Sequence, residues 1–553
     1  MLISNFKIRK KILIKEGVYL LILLFFIFLS AQALFRDGFF RTIDDITTVR
    51  IIYMVKELQR GNWINNFPIR WSADLAHGFG YPLYLFYGPM VYYVGGFLMI
   101  FLHLSHIVAT KWVYVFPLIV GPIFFYLAAR QKFSSLVSLM SSVTYTLFPF
   151  RGYDTYIRGG VGEAWAMAFL PMIFFGIFLI EKKEYSGNII TALFIALTIL
   201  SHNISGLLIL SLIVIYGITF HRLNFRFWKS ILLGLGLSAF FWLPAYFYLS
   251  IVKVTYSNQN TDQILNFLEP FSSLFKIEIP YNPEARFSSL IIYFFLSIGL
   301  LIFWRYKKFQ TENRRYVFFW YFLGLILFLI LFQPFAFFWQ WTLPITRLLQ
   351  FPWRMLILLS FIFPLILAYV IAPLKNSTMF KFLIVILIIA NLYYLPVFKP
   401  REYSYFFEYS AADTGICATS WGDEYLPVWV KLCAGGQPSE KIAIKQGDVK
   451  MTKSDNMDLH ADVSVRGKGE MLIYNYYFPG WQVIVDNKRQ PVAYRFSEQG
   501  IFKTDIKPGR HQVRIFYSKT WIMWIADITS LLSLLYLLWM IWVRRSTKMK
   551  ILR

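Results

Sequence analysis

The chain has 553 residues, 57% of them hydrophobic and 20% aromatic, and its mean hydropathy is +0.53. That balance, with many apolar runs near the ~20 residues that cross a bilayer, excludes a soluble enzyme and indicates a polytopic membrane protein. The formal charge of +25 does not point to nucleic acid, because the lysines and arginines lie mainly in short connections between apolar runs, a pattern of topology and of contact with anionic lipid.

Lys7, Arg9, Lys10, Lys11 and Lys15 precede the first apolar run, 18–35, so this span is expected to leave the N-terminus in the cytoplasm. Ala31-Gln32-Ala33 resembles a signal-peptidase site, but the run is long and reaches Phe35, which favours an uncleaved anchor. Asp44-Asp45 follows just past the outer end of that span. Two carboxylates there suit proton transfer at the outer surface, or ion pairs with Arg41 or Arg50. Adjacent residues on an extended stretch point oppositely, so one of the two is expected to face a site.

The run 82–102 is apolar, yet counting it as a span would reverse every later loop. It carries Pro82, Pro89 and Gly95-Gly96, with Tyr81, Tyr84, Tyr87, Tyr92 and Tyr93, and reads as an interfacial or re-entrant helix. The first outer loop therefore extends over 36–110. Spans are expected near 17–35, 111–130, 134–149, 163–181, 189–201, 204–220, 229–250, 288–304, 315–333, 352–374, 379–397 and 520–543. With the N-terminus inside, the connections carrying Arg130 and Lys132, Lys182 and Lys183, Arg222 and Arg226, Arg305 to Arg315, and Lys375 all fall on the cytoplasmic side, as does the tail with Arg544 and Arg545.

Four more outer elements follow from this topology: 150–162, with Arg151, Asp154 and Arg158, just before Glu163; the turn Ser201-His202-Asn203; 251–287; and 334–351, with Arg347, leading into Phe351-Pro352-Trp353-Arg354. From 399 to 519 the composition becomes that of a water-exposed domain. Segments 458–466, 470–477, 481–486 and 511–517 alternate in polarity or are rich in β-branched and aromatic residues. Pro479-Gly480, Asp486-Asn487 and Pro508-Gly509 read as turns between them. The expected architecture is a polytopic α-helical membrane protein of about 12 spans, with a small extracytoplasmic β-sandwich before the last helix. Its parts are 1–398, 399–519 and 520–553. Cys417 and Cys433, the only cysteines, either form a disulfide or remain two buried thiols.

Local strings carry a resemblance. His77-Gly78-Phe79-Gly80-Tyr81-Pro82, Arg158-Gly159-Gly160 with Glu163-Ala164-Trp165-Ala166, Phe351-Pro352-Trp353-Arg354 and Glu424-Tyr425-Leu426-Pro427 resemble the bacterial membrane family labelled 6-pyruvoyl-tetrahydropterin synthase-related. Nothing in the chain offers pterin chemistry, and its seven histidines lack metal-ligand spacing. Tyr477-Phe478-Pro479-Gly480-Trp481 and Pro508-Gly509-Arg510-His511 resemble the end of YfhO-type membrane proteins. The overall plan is similar to the GT-C superfamily of glycosyltransferases, with relatives among protein O-mannosyltransferases and lipid A aminoarabinose transferases.

That resemblance implies a glycosyltransferase that passes a sugar from a polyprenyl-phosphate-linked donor to a glycan, lipid or protein acceptor at the outer face. Asp44 or Asp45 would be the base, with Asp154 or Glu163 as second carboxylate. Arg151, Arg158, Arg347 and Arg354 would hold the leaving phosphate, aided by N–H groups of the glycine run at 159–162. His202 and His77 are further polar candidates. No cofactor is specified, although the acidic loops could hold a divalent cation. Two other classes share these features: a transporter or flippase of lipid-linked glycans, and a non-catalytic scaffold in envelope assembly.

Overall fold

The computed structural model describes residues 2–44, 46–253, 265–275, 311–374, 378–404, 424–432 and 435–551. The expected span 288–304, Asp45 and both cysteines lie outside the described residues.

Among the described residues, six helices are long and apolar enough to cross a membrane: Ile14–Phe35, His106–Ala129, Val161–Glu181, Asn203–Phe220, Pro352–Leu374 and Trp521–Arg544. Phe225–Leu237 and Ala239–Ile251 form a seventh if counted together, bent by 70° at Ser238. The expected span near 315–333 is the 19-residue helix Thr311–Leu329, whereas the helices Ser135–Thr146, Ser186–Ser201 and Thr378–Tyr393 are shorter, with 12, 16 and 16 residues. The run at 134–149 is the 12-residue helix Ser135–Thr146, which stops before Pro149 opens a new short helix, Pro149–Gly152. At 1.5 Å per residue such a helix covers about 18 Å, less than the ~30 Å of a hydrocarbon core.

Burial sorts the helices into a core and a lipid-facing shell. Val161–Glu181 and Pro352–Leu374 are each 94% buried, against 22% for Trp521–Arg544. The last helix instead shows Trp524, Ile528, Leu531, Leu535 and Trp542 at its surface. A helix apolar all round belongs in a core or in lipid, and here the neighbours decide which. Phe174 and Phe361 stack at 4.9 Å where the two core helices meet.

The first connection wraps one end of this bundle. Strand β1 (Phe39–Phe40) pairs antiparallel with β2 (Tyr403–Ser404), tying the segment after the first span to the segment that leads into the β-domain. The amphipathic helix Thr47–Arg60 then buries Val49, Ile51, Met54 and Val55 and ends on Gly61, whose φ of 74° supplies the left-handed cap. The run expected to lie at the interface contains a 12-residue helix, Met90–Phe101, packed on Thr47–Arg60 through Gly95 and Gly96.

Among the described residues, eight strands build the C-terminal β-domain. Strands β4 (Gly447–Asp455), β5 (Asp458–Val465), β7 (Trp481–Val485), β8 (Lys488–Gln490) and β10 (Gly509–Tyr517) form one antiparallel sheet in the order β4-β5-β10-β7-β8. Strands β3 (Ile442–Ile444), β6 (Gly469–Ile473) and β9 (Phe502–Ile506) form the other. Both sheets turn alternate side chains inward, and Val463, Val483 and Ile515 share one core with Met471, Ile473 and Phe502. Asp486 and Asn487, with φ of 48° and 61°, make the tight β7–β8 turn.

The domain sits on the first connection. Trp71 stacks on Tyr517 at 5.2 Å, and Phe79 stacks on Tyr476 at 5.0 Å. Beside these rings, Arg60 pairs with Glu57 at 3.3 Å and with Asp74 at 2.9 Å, and reaches Asp455 at 2.5 Å.

Candidate functional site

The two core helices begin side by side, and the site is built around their first turns. Glu163 lies in the first turn of Val161–Glu181, where the helix dipole favours a carboxylate. Arg354 stands at the start of Met355–Ile371, and its Nε donates to Glu163 Oε1 at 3.0 Å. Arg354 is fixed further by donating to the Leu349 carbonyl at 2.7 Å and to Gln350 at 2.6 Å.

Arg158 comes from the turn before Glu163. Residues Tyr153–Arg158 form one wide helical turn that ends on Gly159 at φ 80°. That geometry places Arg158 2.6 Å from Glu163, 3.1 Å from Asp154 and 3.8 Å from Asp44, with its guanidinium 4.5 Å from the Trp353 ring centre. Gly159 also admits the Asp44 loop: a Cβ there would lie 2.3 Å from Thr42 Oγ1. The loop is pinned by two backbone bonds, Ile43 N–H to Ile157 O at 2.9 Å and Asp44 N–H to Arg158 O at 2.8 Å.

A cavity of about 290 Å³ opens over this cluster. Asp44, Thr47, Arg50, Tyr87 and Tyr92 line it from the first connection. Arg158, Gly159 and His202 line it from the core, and Gln350, Phe351, Arg354, Glu424 and Tyr425 complete it. Arg50 is buried, with its guanidinium 4.1 Å from the Tyr87 ring centre and bonded to the Tyr92 hydroxyl at 3.1 Å. Three guanidinium groups thus face a space shared with two carboxylates, those of Asp44 and Glu424. Burial pushes the Glu424 carboxyl up from its usual range, with Arg50 and Arg354 pulling the other way.

His202 does two things. Its Nδ1 caps Asn203–Phe220 by accepting the Ser205 N–H at 3.2 Å, and burial pulls the imidazole down to about 3. A neutral ring accepting at Nδ1 carries its proton on Nε2, which faces Glu163 Oε1 at 3.8 Å.

The sequence candidates therefore divide. Asp44, Arg158, His202 and Arg354 line the cavity, and Glu163 lies directly behind the two arginines. Asp154 is fully buried behind Arg158. Burial, with Glu163 adding to it, holds its carboxyl well above the usual range. Arg151 is buried away from the cavity, where it donates to the Pro117 carbonyl at 3.0 Å and lies 4.2 Å from the Tyr145 ring centre. His77 occupies a left-handed turn next to Gly78, whose carbonyl bonds Lys441 of the β-domain, and does not line the cavity. Arg347 lies in the turn Arg347–Leu349 with its side chain outside the described residues, as is Asp45.

The glycine run also differs from expectation. The N–H groups of Gly160 and Val161 bond the carbonyls of Asp154 and Gly159 at 2.8 Å each, so this turn closes on itself instead of offering those donors to phosphate. Arg50 and Glu424 belong to the site although neither was among its sequence candidates. Arg50 is six residues past Asp44, and Glu424 opens the quoted string Glu424-Tyr425-Leu426-Pro427. Among the described residues, no cluster of three or more His, Cys, Asp or Glu side chains is arranged to hold a metal ion.

Fold and site define a membrane protein whose apolar helices end in a charged cavity beside a β-sandwich. The family model described as 6-pyruvoyl-tetrahydropterin synthase related domain, membrane protein, matches residues 84–400, more than half of the chain. The chain belongs to that family. Among solved structures it is similar to two cryo-EM structures of the arabinofuranosyltransferase AftD from Mycobacteria. With a mutant form of AftD the identity is 14% and the TM-score 0.47, covering 72% of this chain and 29% of AftD. With AftD itself the identity is 15% and the TM-score 0.45, covering 72% and 28%. This chain thus spans less than a third of AftD's length. No curated protein matches the sequence.

Proposed function

We propose that the protein is a membrane glycosyltransferase that takes a sugar from a polyprenyl-phosphate-linked donor and transfers it to an acceptor outside the membrane. The observation that carries this reading is one cavity in which the Asp44 carboxylate faces Arg158, Arg50 and Arg354 where the apolar helices end. The distribution of basic connections supports an outward-facing cavity. Lys132 pairs with Glu181, at the opposite end of Val161–Glu181 from Glu163.

In this reading Asp44 accepts the acceptor's proton as its oxygen bonds to the anomeric carbon. The bond from that carbon to the phosphate oxygen breaks, and its electron pair leaves with the phosphate. The guanidinium groups of Arg158, Arg354 and Arg50 stabilise that developing charge. Glu163 anchors two of them and is a positioning residue, not the base.

The test is complementation of a strain lacking the gene, with lipid-linked sugars and surface glycans followed by mass spectrometry. Asp44→Asn nearly preserves shape and removes basicity, so transfer should fall ~10²–10⁴-fold while protein level and membrane insertion stay normal. Normal transfer by Asp44→Asn would overturn the mechanism.

A further inference from the structure

A second cavity, of about 420 Å³, lies on the β-domain and is lined by Val428, Trp429, Lys431, Arg495, Phe496 and Glu498, together with Ser497. Its volume is within the ~300–1,000 Å³ typical of small-molecule sites. It is open to water: Lys431 and Glu498 pair at 3.2 Å with side chains 68% and 59% exposed. Two aromatic side chains line it. Trp429 is largely buried and packs on Tyr494 at 4.8 Å, which stacks on Tyr477 at 4.0 Å behind the cleft. The Phe496 ring is exposed at the rim, with the Lys503 ammonium 4.8 Å from its centre. Lys431 and Glu498 satisfy each other, whereas Arg495 makes no ion pair among the described residues and lies 5.8 and 5.6 Å from the Trp429 and Tyr494 ring centres.

The same short segment lines both cavities. Glu424 and Tyr425 face the first; Val428, Trp429 and Lys431 face the second. The segment is held rigidly between them. Leu426 and Val430 are fully buried, the Lys253 N–H bonds the Leu426 carbonyl at 3.0 Å, and the Val428 N–H bonds the Ile251 carbonyl at 2.9 Å. Glu424 and Trp429 are five residues apart, so their Cα atoms are no more than about 18 Å from each other. That is the length of a few sugar rings.

We propose that this cleft binds an anionic oligosaccharide, the growing acceptor, so that its end reaches the cavity at Asp44. Naming the acceptor in this way rests on the glycosyltransferase reading above. The donor's lipid arrives through the bilayer, which leaves a water-facing cleft on the β-domain for the other substrate. Aromatic faces pack against the C–H faces of sugar rings, and the forked guanidinium of Arg495 matches a uronate carboxylate.

The test is binding to purified full-length protein in detergent, with hexagalacturonate as the anionic probe and maltohexaose as its neutral counterpart. Hexagalacturonate should bind, maltohexaose should bind at least about tenfold more weakly, and Arg495→Gln or Phe496→Ala should each weaken hexagalacturonate about tenfold or more. Both substituted side chains are exposed, so folding should be retained, which an unchanged melting temperature would establish. Equal binding of the two probes, binding unaffected by Arg495→Gln, or no binding would overturn the proposal. Asp44→Asn should bind hexagalacturonate like wild type. Loss of transfer in that variant together with indifference to Arg495→Gln would therefore sink the cleft alone and leave the transferase reading standing.

Discussion

Glu163 compensates two cations at once, lying 2.6 Å from Arg158 and 3.0 Å from Arg354 with 1% of its side chain exposed. Removing the acid from a buried ion group leaves its partners desolvated and uncompensated, at a cost of about 3–5 kcal/mol. Glu163→Gln should therefore lower the melting temperature of the purified protein and its abundance in membranes, a folding defect where Asp44→Asn gives a catalytic one. A Glu163→Gln protein as stable as wild type would show that the arginines are compensated by other groups. Part of this was legible in the sequence. Asp154 and Arg158, four residues apart on one helical turn, meet as local spacing predicts. Glu163 and Arg354 are 191 residues apart, and no local pattern announces that pair. Local pattern likewise could not say that Asp154 and Arg151 would be buried behind the cavity wall, since arginines in one outer turn look alike until packing separates them.

At the scale of elements, the helix Thr47–Arg60 carries Thr47 and Arg50 into the cavity, and Met90–Phe101 braces it from behind. The contact is close because Gly95 has no side chain. A Cβ there would meet Ile51 Cδ1 at 2.6 Å and Cγ1 at 2.7 Å, and Ile51 is fully buried. Gly95→Ala should destabilise by about 1–3 kcal/mol through overpacking and displace Arg50. Ile51→Ala alone opens a void costing about 2–5 kcal/mol. Combined, the two should be much less harmful than their sum, because each relieves the other. Melting temperatures of the two single variants and the double variant test this, and simple additivity would mean that the helices do not meet as described. Taken with the parity of the basic loops, the prolines, glycines and tyrosines around this helix read as an interfacial or re-entrant segment, and the helix found there has 12 residues. The strands divide similarly. Segments 458–466, 481–486 and 511–517 alternate clearly and appear as β5, β7 and β10 with ends shifted by at most two residues. Strand β4, GDVKMTKSD at a sheet edge, alternates only through Val449 and Met451 and is polar thereafter, too short a pattern to read as a strand.

For the whole molecule, the decisive contact is the seam between the β-domain and the first connection, because that connection carries Asp44, Arg50, Tyr87 and Tyr92 to the cavity. The seam contains a titrating group. Glu57 is buried and accepts the Ala73 N–H at 2.8 Å, and burial pushes its carboxyl up to about 7 although Arg60 pulls it down. An unfolded glutamate titrates near 4.3. The folded seam therefore favours the protonated form. Its contribution to stability is fully present below the unfolded value and is lost as pH rises through about 7. Lys441, which bonds the Gly78 carbonyl at the same seam, is pulled down to about 8 by burial, and its window lies above that of Glu57. Of these two seam groups, Glu57 is the one that contributes a slope between about pH 5 and about pH 7.5, while His511, raised by its bond to Asp486, lies on the β7–β8 side of the domain away from the seam. Glu57→Gln keeps an acceptor for Ala73 and removes the titration. In limited proteolysis of the full-length protein, release of the β-domain should quicken as pH rises across that range for wild type. For Glu57→Gln the rate should be flat, and a variant that retained the wild-type slope would move the pH sensitivity to another group of the seam.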